Sequence, residues 1–335
     1  MKVWFPVIKT SSGTDIFTIR LAESLEKYGI ETLITWFPWY FEIFPFLLRL
    51  YPTPKVDLIH ANSWNAFAFY RKYIPLVTTI HLAVLDPAYN GYKSTLQWIY
   101  HTLLIRFYEG LSFSRSSAIT AVSHYTATVS QSIFRIPQIE TIYNYLDMRR
   151  LRDNRSSEND DGLFHLLFVG NASRRKGVDL LRPIMEKLGP EYRLTIISNS
   201  DIDPVYIDSA NITVVGPKYD DDLFTAYYEC DAVLFPTRLE GFGFVALEAM
   251  ACGKPVISSR NSSLPEVVEH GVTGILCETG NIGEYVSACE QLRNNPTMTD
   301  NMGNAAKKRA QELFSEEVSV PHYIDLYNRV LGSSQ

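Results

Sequence analysis

The chain has 335 residues, 46% hydrophobic and 20% charged, with 18 Gly and 17 Pro. That length suits about two domains with generous cores, and the composition excludes collagen-like and disordered chains. The formal charge of −6 argues against nucleic acid as a main partner, yet it hides a split: residues 1–152 carry 15 Lys+Arg against 10 Asp+Glu (+5), and residues 153–335 carry 16 against 27 (−11). Two halves with different partners are implied.

Met1-Lys2-Val3-Trp4-Phe5 reads as the entry to a strand, Lys2–Ile8, rather than a signal peptide, so a cytoplasmic location is expected. An amphipathic helix is predicted over Thr14–Tyr28, stopped by Gly29, then a strand over Thr32–Thr35. The stretch Leu33–Tyr51 is the most apolar of the chain, but Pro38, Glu42, Pro45 and Arg49 disqualify it as a membrane-spanning helix. Its Trp, Tyr and Phe beside scattered charge suit either a membrane interface or a strand end with a buried loop-helix. Further strands are predicted at Leu58–His60, Leu76–Ile80, Ala118–Val122 and Thr141–Ile142, with helical segments between, the longest near Thr95–Ser112.

The segment Arg149–Gly162, RRLRDNRSSENDDG, is polar and charge-dense and reads as an interdomain linker. Alternation then restarts. Strands are predicted at Leu166–Val169, Arg193–Ile197, Ile212–Val215, Ala232–Phe235 and Pro255–Ser258, and helices near Val178–Leu188, Asp221–Glu229 and Val245–Ala251. Strands alternating with helices specify parallel sheets, hence two doubly wound α/β domains in tandem. Ligands bind such sheets beyond the carboxyl ends of the strands, so the expected site is a cleft between the domains. The four cysteines, Cys230, Cys252, Cys277 and Cys289, form no CxxC pair, so buried thiols are expected rather than zinc or redox chemistry.

The segment Ala232–Ser258, AVLFPTRLEGFGFVALEAMACGKPVIS, concentrates the chemistry. A strand ends at Phe235-Pro236, a loop carries Glu240-Gly241-Phe242-Gly243, and a helix follows with Glu248 eight residues after Glu240. The glycines permit close backbone approach and the helix start favours an anion, while the carboxylates can accept hydrogen bonds from hydroxyls. A diphosphate flanked by ribose and a hexose would satisfy the pattern; a capped helix with two solvated glutamates is the bland alternative.

EGFGFVALEAMACGKPVISS resembles the E-x7-E signature of the retaining family-4 glycosyltransferases, which have the GT-B fold of two Rossmann-like domains. Ser12-Gly13 resembles that family's N-terminal Gly-rich turn, Asp57–His60 its third strand, and Val77–His81 the strand ending in a cleft histidine. Ala118–Ser123, Asn144–Asp147 and Phe168–Gly177 are similar to further family segments, and a last helix near Glu316–Leu331 resembles the one returning to the first domain. The resemblance implies domains at 1–148 for the acceptor and 163–315 for the donor, a linker at 149–162, and a returning helix at 316–335.

By the same resemblance, Glu240 holds donor-sugar hydroxyls and Glu248 the ribose hydroxyls. Backbone N–H groups of Phe242, Gly243 and Phe244 cradle the diphosphate, Gly241 joins the donor-binding set, and Lys176 neutralises the leaving charge. Gly13 lets its loop close on the phosphate, and His81 touches the donor sugar or acceptor. Three positions depart from the family pattern: Asn171 stands where Arg is usual, Tyr145 where Gly is usual, and Ser12 replaces the first glycine of its pair. Arg174 or Arg175 is expected to supply the cation missing at Asn171.

Asp201-Ile202-Asp203 matches the metal-binding DxD of another glycosyltransferase fold, but so short a motif reads better as a loop. His60, His101, His124 and His270 are expected at the surface or satisfied in the core, and Ser123 and Cys252 lack the partners of a catalytic triad. The expected activity is retaining transfer of a hexosyl unit from a nucleoside-diphosphate sugar, with the leaving phosphate accepting the acceptor's proton, and with neither metal nor cofactor. UDP is favoured over GDP, and Pro217-Lys218-Tyr219 falls where the family meets the base. The acceptor is expected to be a glycan or lipid-linked, with the basic first half and the Lys93–Arg115 helix meeting an anionic membrane. An epimerase or hydrolase of the same fold would consume donor without elongating an acceptor; a non-catalytic nucleotide-sugar-binding subunit would bind nucleotide without turnover.

Overall fold

The computed structural model describes residues 1–10, 13–151 and 161–333. Most of the segment read as a linker, residues 152–160, therefore lies outside the described residues, as does Ser12. Among the described residues, the chain divides into two units: 1–144 with the final helix Glu316–Gly332, and Tyr145–Ser315.

The first unit holds strands β1 (Lys2–Ile8), β2 (Glu31–Phe37), β3 (Leu58–Asn62), β4 (Leu76–Ile80), β5 (Ala118–Ala121) and β6 (Glu140–Thr141), in the order β2-β1-β3-β4-β5-β6. The second holds β7 (Phe164–Val169), β8 (Tyr192–Ile197), β9 (Ile212–Val215), β10 (Ala232–Phe235), β11 (Val256–Ser259) and β12 (Gly274–Cys277), ordered β12-β11-β10-β7-β8-β9. Every adjacent pair is parallel. Parallel sheets covered by helices on both faces need strands that are apolar throughout, and Leu76–Ile80 and Ala232–Phe235 are buried at every position. Burying each large aliphatic side chain there contributes about 1.5–3 kcal/mol.

The second sheet reverses its chain order between β7 and β10, which makes the carboxyl ends of those two strands its topological switch point. Its core gathers Phe168, Leu181, Leu194, Leu234 and Tyr285. The first unit centres on Trp4, Phe67, Phe69 and Tyr108. Trp4 is fully buried, with its indole N–H donated to Thr35 Oγ1 at 2.9 Å.

The final helix belongs to the first unit for identifiable reasons. Glu316, 1% exposed, accepts from Ser24 Oγ at 3.0 Å and from Lys27 Nζ at 2.7 Å, and Tyr327 Oη lies 2.6 Å from His60 Nδ1. The division between the compact units falls at Asn144–Tyr145, where Leu146 bridges to Ser315 and donates its N–H to the Phe314 carbonyl.

Two helical features differ from the sequence-based expectation. The run 95–113 is one continuous helical stretch, but it widens into a π turn at Tyr100–Ile105 between α-helical Thr95–Ile99 and Arg106–Phe113. Past β11, the edge strand Gly274–Cys277 and the helices Ile282–Arg293 and Pro296–Leu313 complete the second unit. No helix among the described residues is long and apolar enough to cross a membrane.

Candidate functional site

Strand β7 runs into the turn 170–177. Ser173 caps it by accepting the Lys176 N–H, residues Arg174–Lys176 form a 3-10 turn, and Gly177 ends it at φ 78°. A Cβ at Gly177 would stand 2.1 Å from the Pro236 carbonyl oxygen, so only glycine lets this turn lie against the loop that follows β10.

That loop, 236–243, is buried throughout, and a buried loop must find partners for its backbone polar groups. The end of β11 and the polar run that follows it supply partners for the loop and for the strand end before it. Ser258 Oγ donates to Phe235 O at 2.6 Å, Asn261 Nδ2 to Arg238 O at 2.9 Å, and Ser263 Oγ to Glu240 O at 3.1 Å and Phe242 O at 2.9 Å. Ser262 Oγ accepts the Glu240 N–H at 3.0 Å, from a backbone held at φ 52°.

With turn and loop fixed, three side chains converge on one oxygen. Glu240 Oε1 accepts from Lys176 Nζ at 2.7 Å, Thr237 Oγ1 at 2.8 Å and Arg175 Nη1 at 3.2 Å. Arg175 Nη1 also donates to Leu239 O at 2.8 Å. Glu240 is 7% exposed; burial by itself would raise its pKa, but Lys176 and Arg175 outweigh burial and hold it below the usual carboxylate range. Burial lowers the Lys176 pKa, against the pull of Glu240. Two cations face the Glu240 carboxylate, with Glu248 also acting on Lys176, so an anionic ligand could take the place of Glu240 between the cations.

Of the two arginines expected to stand in for Asn171, Arg175 is the one directed into this cluster, while Arg174 is exposed. Asn171 itself is exposed, and its Oδ1 accepts from Ser173 Oγ at 2.9 Å. The sequence reading passed over Arg238. Its guanidinium forks onto both Asp179 oxygens at 2.6 and 2.8 Å and donates to Arg174 O, and its own N–H is given to Arg175 O at 2.7 Å. It ties the cationic turn to the Glu240 loop.

The helix Phe244–Ala251 opens at Gly243, held at φ 104°. Glu248 lies buried on it and accepts from Tyr227 Oη at 3.0 Å. Phe242 is buried against Phe314, rings 5.5 Å apart. Glu240, Gly241, Phe242, Gly243, Phe244, Glu248, Arg175 and Lys176 are thus brought together in the second unit, and Gly13 and His81 belong to the first. Gly13 begins the helix Gly13–Lys27, and His81 follows β4 with Phe17 against its ring at 4.7 Å, its pKa pushed down to about 3 by burial.

His101 departs from expectation, buried with its Nδ1 unpaired among the described residues, while other candidates take structural roles. His60 is satisfied in the core by Tyr327 and by Thr79 Oγ1 at 2.6 Å, and His270 Nδ1 accepts the Leu276 N–H. Asp203 caps the short turn Pro204–Tyr206 by accepting the Val205 N–H. Ser123 caps the helix His124–Phe134. All four cysteines are buried, and burial pushes Cys230, Cys252 and Cys277 up to about 12.

Two parallel Rossmann-like units with this switch-point site define a GT-B glycosyltransferase architecture. Sucrose-phosphate synthase from Thermosynechococcus elongatus superposes at a TM-score of 0.81 with 18% identity, covering 99% of each chain. The HepE protein of Anabaena superposes at 0.73 with 19% identity, covering 98% of this chain and 99% of its own. In sequence, residues 13–150 match the family described as Glycosyltransferase Family 4, and residues 150–309 match Glycosyl transferases group 1. N-acetyl-alpha-D-glucosaminyl L-malate synthase of Bacillus anthracis is 30% identical over 285 residues, covering 77% of this chain and 68% of that protein. D-inositol 3-phosphate glycosyltransferase of Pseudarthrobacter chlorophenolicus is 27% identical over 294 residues, covering 78% of this chain and 68% of that protein. The chain belongs to this family of glycosyltransferases.

Proposed function

We propose that the protein transfers a hexosyl unit from a UDP-sugar to a hydroxyl of a glycan or lipid-linked acceptor, with retention at the anomeric carbon and without a metal ion. The observation that carries this reading is the convergence of Lys176 and Arg175 on Glu240 Oε1 at the carboxyl ends of β7 and β10. In the reaction the bond from the anomeric carbon to the diphosphate oxygen breaks and a bond to the acceptor oxygen forms. The acceptor's proton passes to the leaving phosphate on the same face. The chain's part is to position the donor and to neutralise the departing charge, which Lys176 and Arg175 supply.

Glu240 takes the donor-sugar hydroxyls once the diphosphate draws the two cations from it, and Glu248 takes the ribose hydroxyls. Backbone N–H groups at Gly241–Phe244 cradle the diphosphate, and Pro217-Lys218-Tyr219, just before the helix Asp220–Glu229, meets the base. In the first unit, Gly13 and His81 serve the phosphate and the sugar or acceptor. HepE, crystallised with UDP and with UDP-glucose, supports the choice of UDP. The lipopolysaccharide outer core galactosyltransferase WaaB, of the same fold at a TM-score of 0.69, supports an acceptor of the cell-surface glycan type.

The test is a screen of UDP-, GDP- and ADP-sugars against sugar and lipid-linked acceptors, with and without EDTA, reading product and anomeric configuration by NMR. A retained linkage formed from a UDP-sugar in EDTA is the expected result. An inverted product, or donor hydrolysed with no acceptor elongated, overturns the reading.

A further inference from the structure

The helical run 95–113 is apolar on two faces. His101, Ile105, Tyr108 and Ser112 face inward and are buried. Leu96, Ile99, Leu103 and Phe107 recur at helical spacing on another face, and they are 78, 42, 65 and 54% exposed. A surface helix ordinarily carries charged residues there. Here no Asp or Glu occurs from residue 87 to residue 108, and the charge within the exposed stripe is Arg106.

The apolar face continues onto the 3-10 segment Pro45–Leu50. Its three-residue period buries Pro45 and Leu48 and leaves Leu47 and Leu50 in solvent beside exposed Arg49. The two segments are fixed to each other: the Phe46 and Phe107 rings are 6.4 Å apart, and Tyr108 Oη donates to Ile43 O at 3.0 Å. Among the described residues, neither Arg49 nor Arg106 is within ion-pair distance of a carboxylate.

We propose that this face docks on an anionic lipid bilayer, with Leu47, Leu50, Leu103 and Phe107 entering the headgroup boundary and Arg49 and Arg106 meeting lipid phosphates. Exposed aliphatic side chains flanked by cations, with Trp39, Tyr51 and Trp98 also exposed, match the layered polarity of a membrane interface. The +5 balance of residues 1–152 adds long-range attraction to anionic lipid. A two-fold pairing of two copies through this face would instead gather the Arg49 and Arg106 of both copies in one interface, an accumulation of like charge. The proposal goes beyond the transfer reaction, and its test does not depend on it.

The experiment is co-sedimentation of the full chain with vesicles of phosphatidylglycerol and phosphatidylcholine, or of phosphatidylcholine alone. Binding is expected to the anionic vesicles, weakening with salt. Leu50→Glu with Leu103→Glu should abolish it, and Arg49→Gln with Arg106→Gln should weaken it by about twenty-fivefold, each interfacial cation contributing about fivefold. Circular dichroism and melting confirm that these surface variants remain folded. Failure of the native chain to bind anionic vesicles, or native-like binding by the double Leu→Glu variant, overturns the proposal. So does sedimentation velocity showing a native dimer that the same variant splits, which would assign the face to a second copy.

Discussion

Lys176 Nζ lies 2.7 Å from Glu240 Oε1, although 64 residues separate them in the chain. The two side chains meet because β7 and β10 are hydrogen-bonded neighbours, so the turn after one strand lies beside the loop after the other. The carboxylate fills the place between two cations that the leaving diphosphate takes in the proposed reaction.

Lys176→Met keeps most of the side-chain volume and removes the charge. Arg175 remains to hold Glu240, so the melting temperature should change little while kcat falls about 10²–10³-fold, the scale of losing one charge-stabilising group. Steady-state transfer assays beside a thermal melt check this. Near-native turnover in a folded Lys176→Met protein would remove the residue from the mechanism.

Gly177→Ala places a methyl group 2.1 Å from a backbone oxygen and at a positive φ. The strain should cost more than about 2 kcal/mol and pull the turn away from Pro236, lowering activity together with stability. Urea unfolding reads the stability; an alanine variant as stable as the native chain would contradict the contact.

Ser263→Ala leaves the carbonyls of Glu240 and Phe242 without the hydroxyl that serves both. Stranding buried acceptors costs about 1–3 kcal/mol. Because these carbonyls belong to the loop proposed to hold the donor, KM for the donor should rise more than it does for Ser114→Ala, an exposed serine elsewhere.

Glu109 is 4% exposed and accepts from Ser63 Oγ at 2.8 Å, and burial pushes its pKa up to about 8. An unfolded glutamate loses its proton near its ordinary value of about 4.3. Between those values the folded chain binds more protons than the unfolded one, so stability falls as pH rises and levels off above about 8. Glu109→Gln is neutral throughout and should be more stable than the native chain by a few kcal/mol near pH 8, with the difference shrinking toward pH 5. Melting curves across that range read the difference, and parallel curves for the two proteins would show that Glu109 is charged in the fold.

Much of this was legible in the sequence. Runs such as Leu76–Ile80 and Ala232–Phe235 announce buried parallel strands because both faces must be apolar. The Glu240–Glu248 spacing around two glycines marks the buried loop and helix start on which Lys176 and Arg175 converge. The edge strand Gly274–Cys277 escaped because four residues with a glycine and a cysteine carry little periodic signal. The run Ser258–Ser263 was visible as a polar stretch after a strand, but nothing local says which carbonyls its hydroxyls serve.

The sequence by itself determined the fold class, the two-unit organisation and the family, since these rest on hydrophobic period and on motifs contiguous in the chain. Only the tertiary structure decided that Arg175 rather than Arg174 faces Glu240, that Arg238 locks the turn through Asp179, and that Leu96, Ile99, Leu103 and Phe107 are left in solvent. Each of these depends on which strands and helices become neighbours, and that is settled by packing over distances that sequence periodicity does not encode.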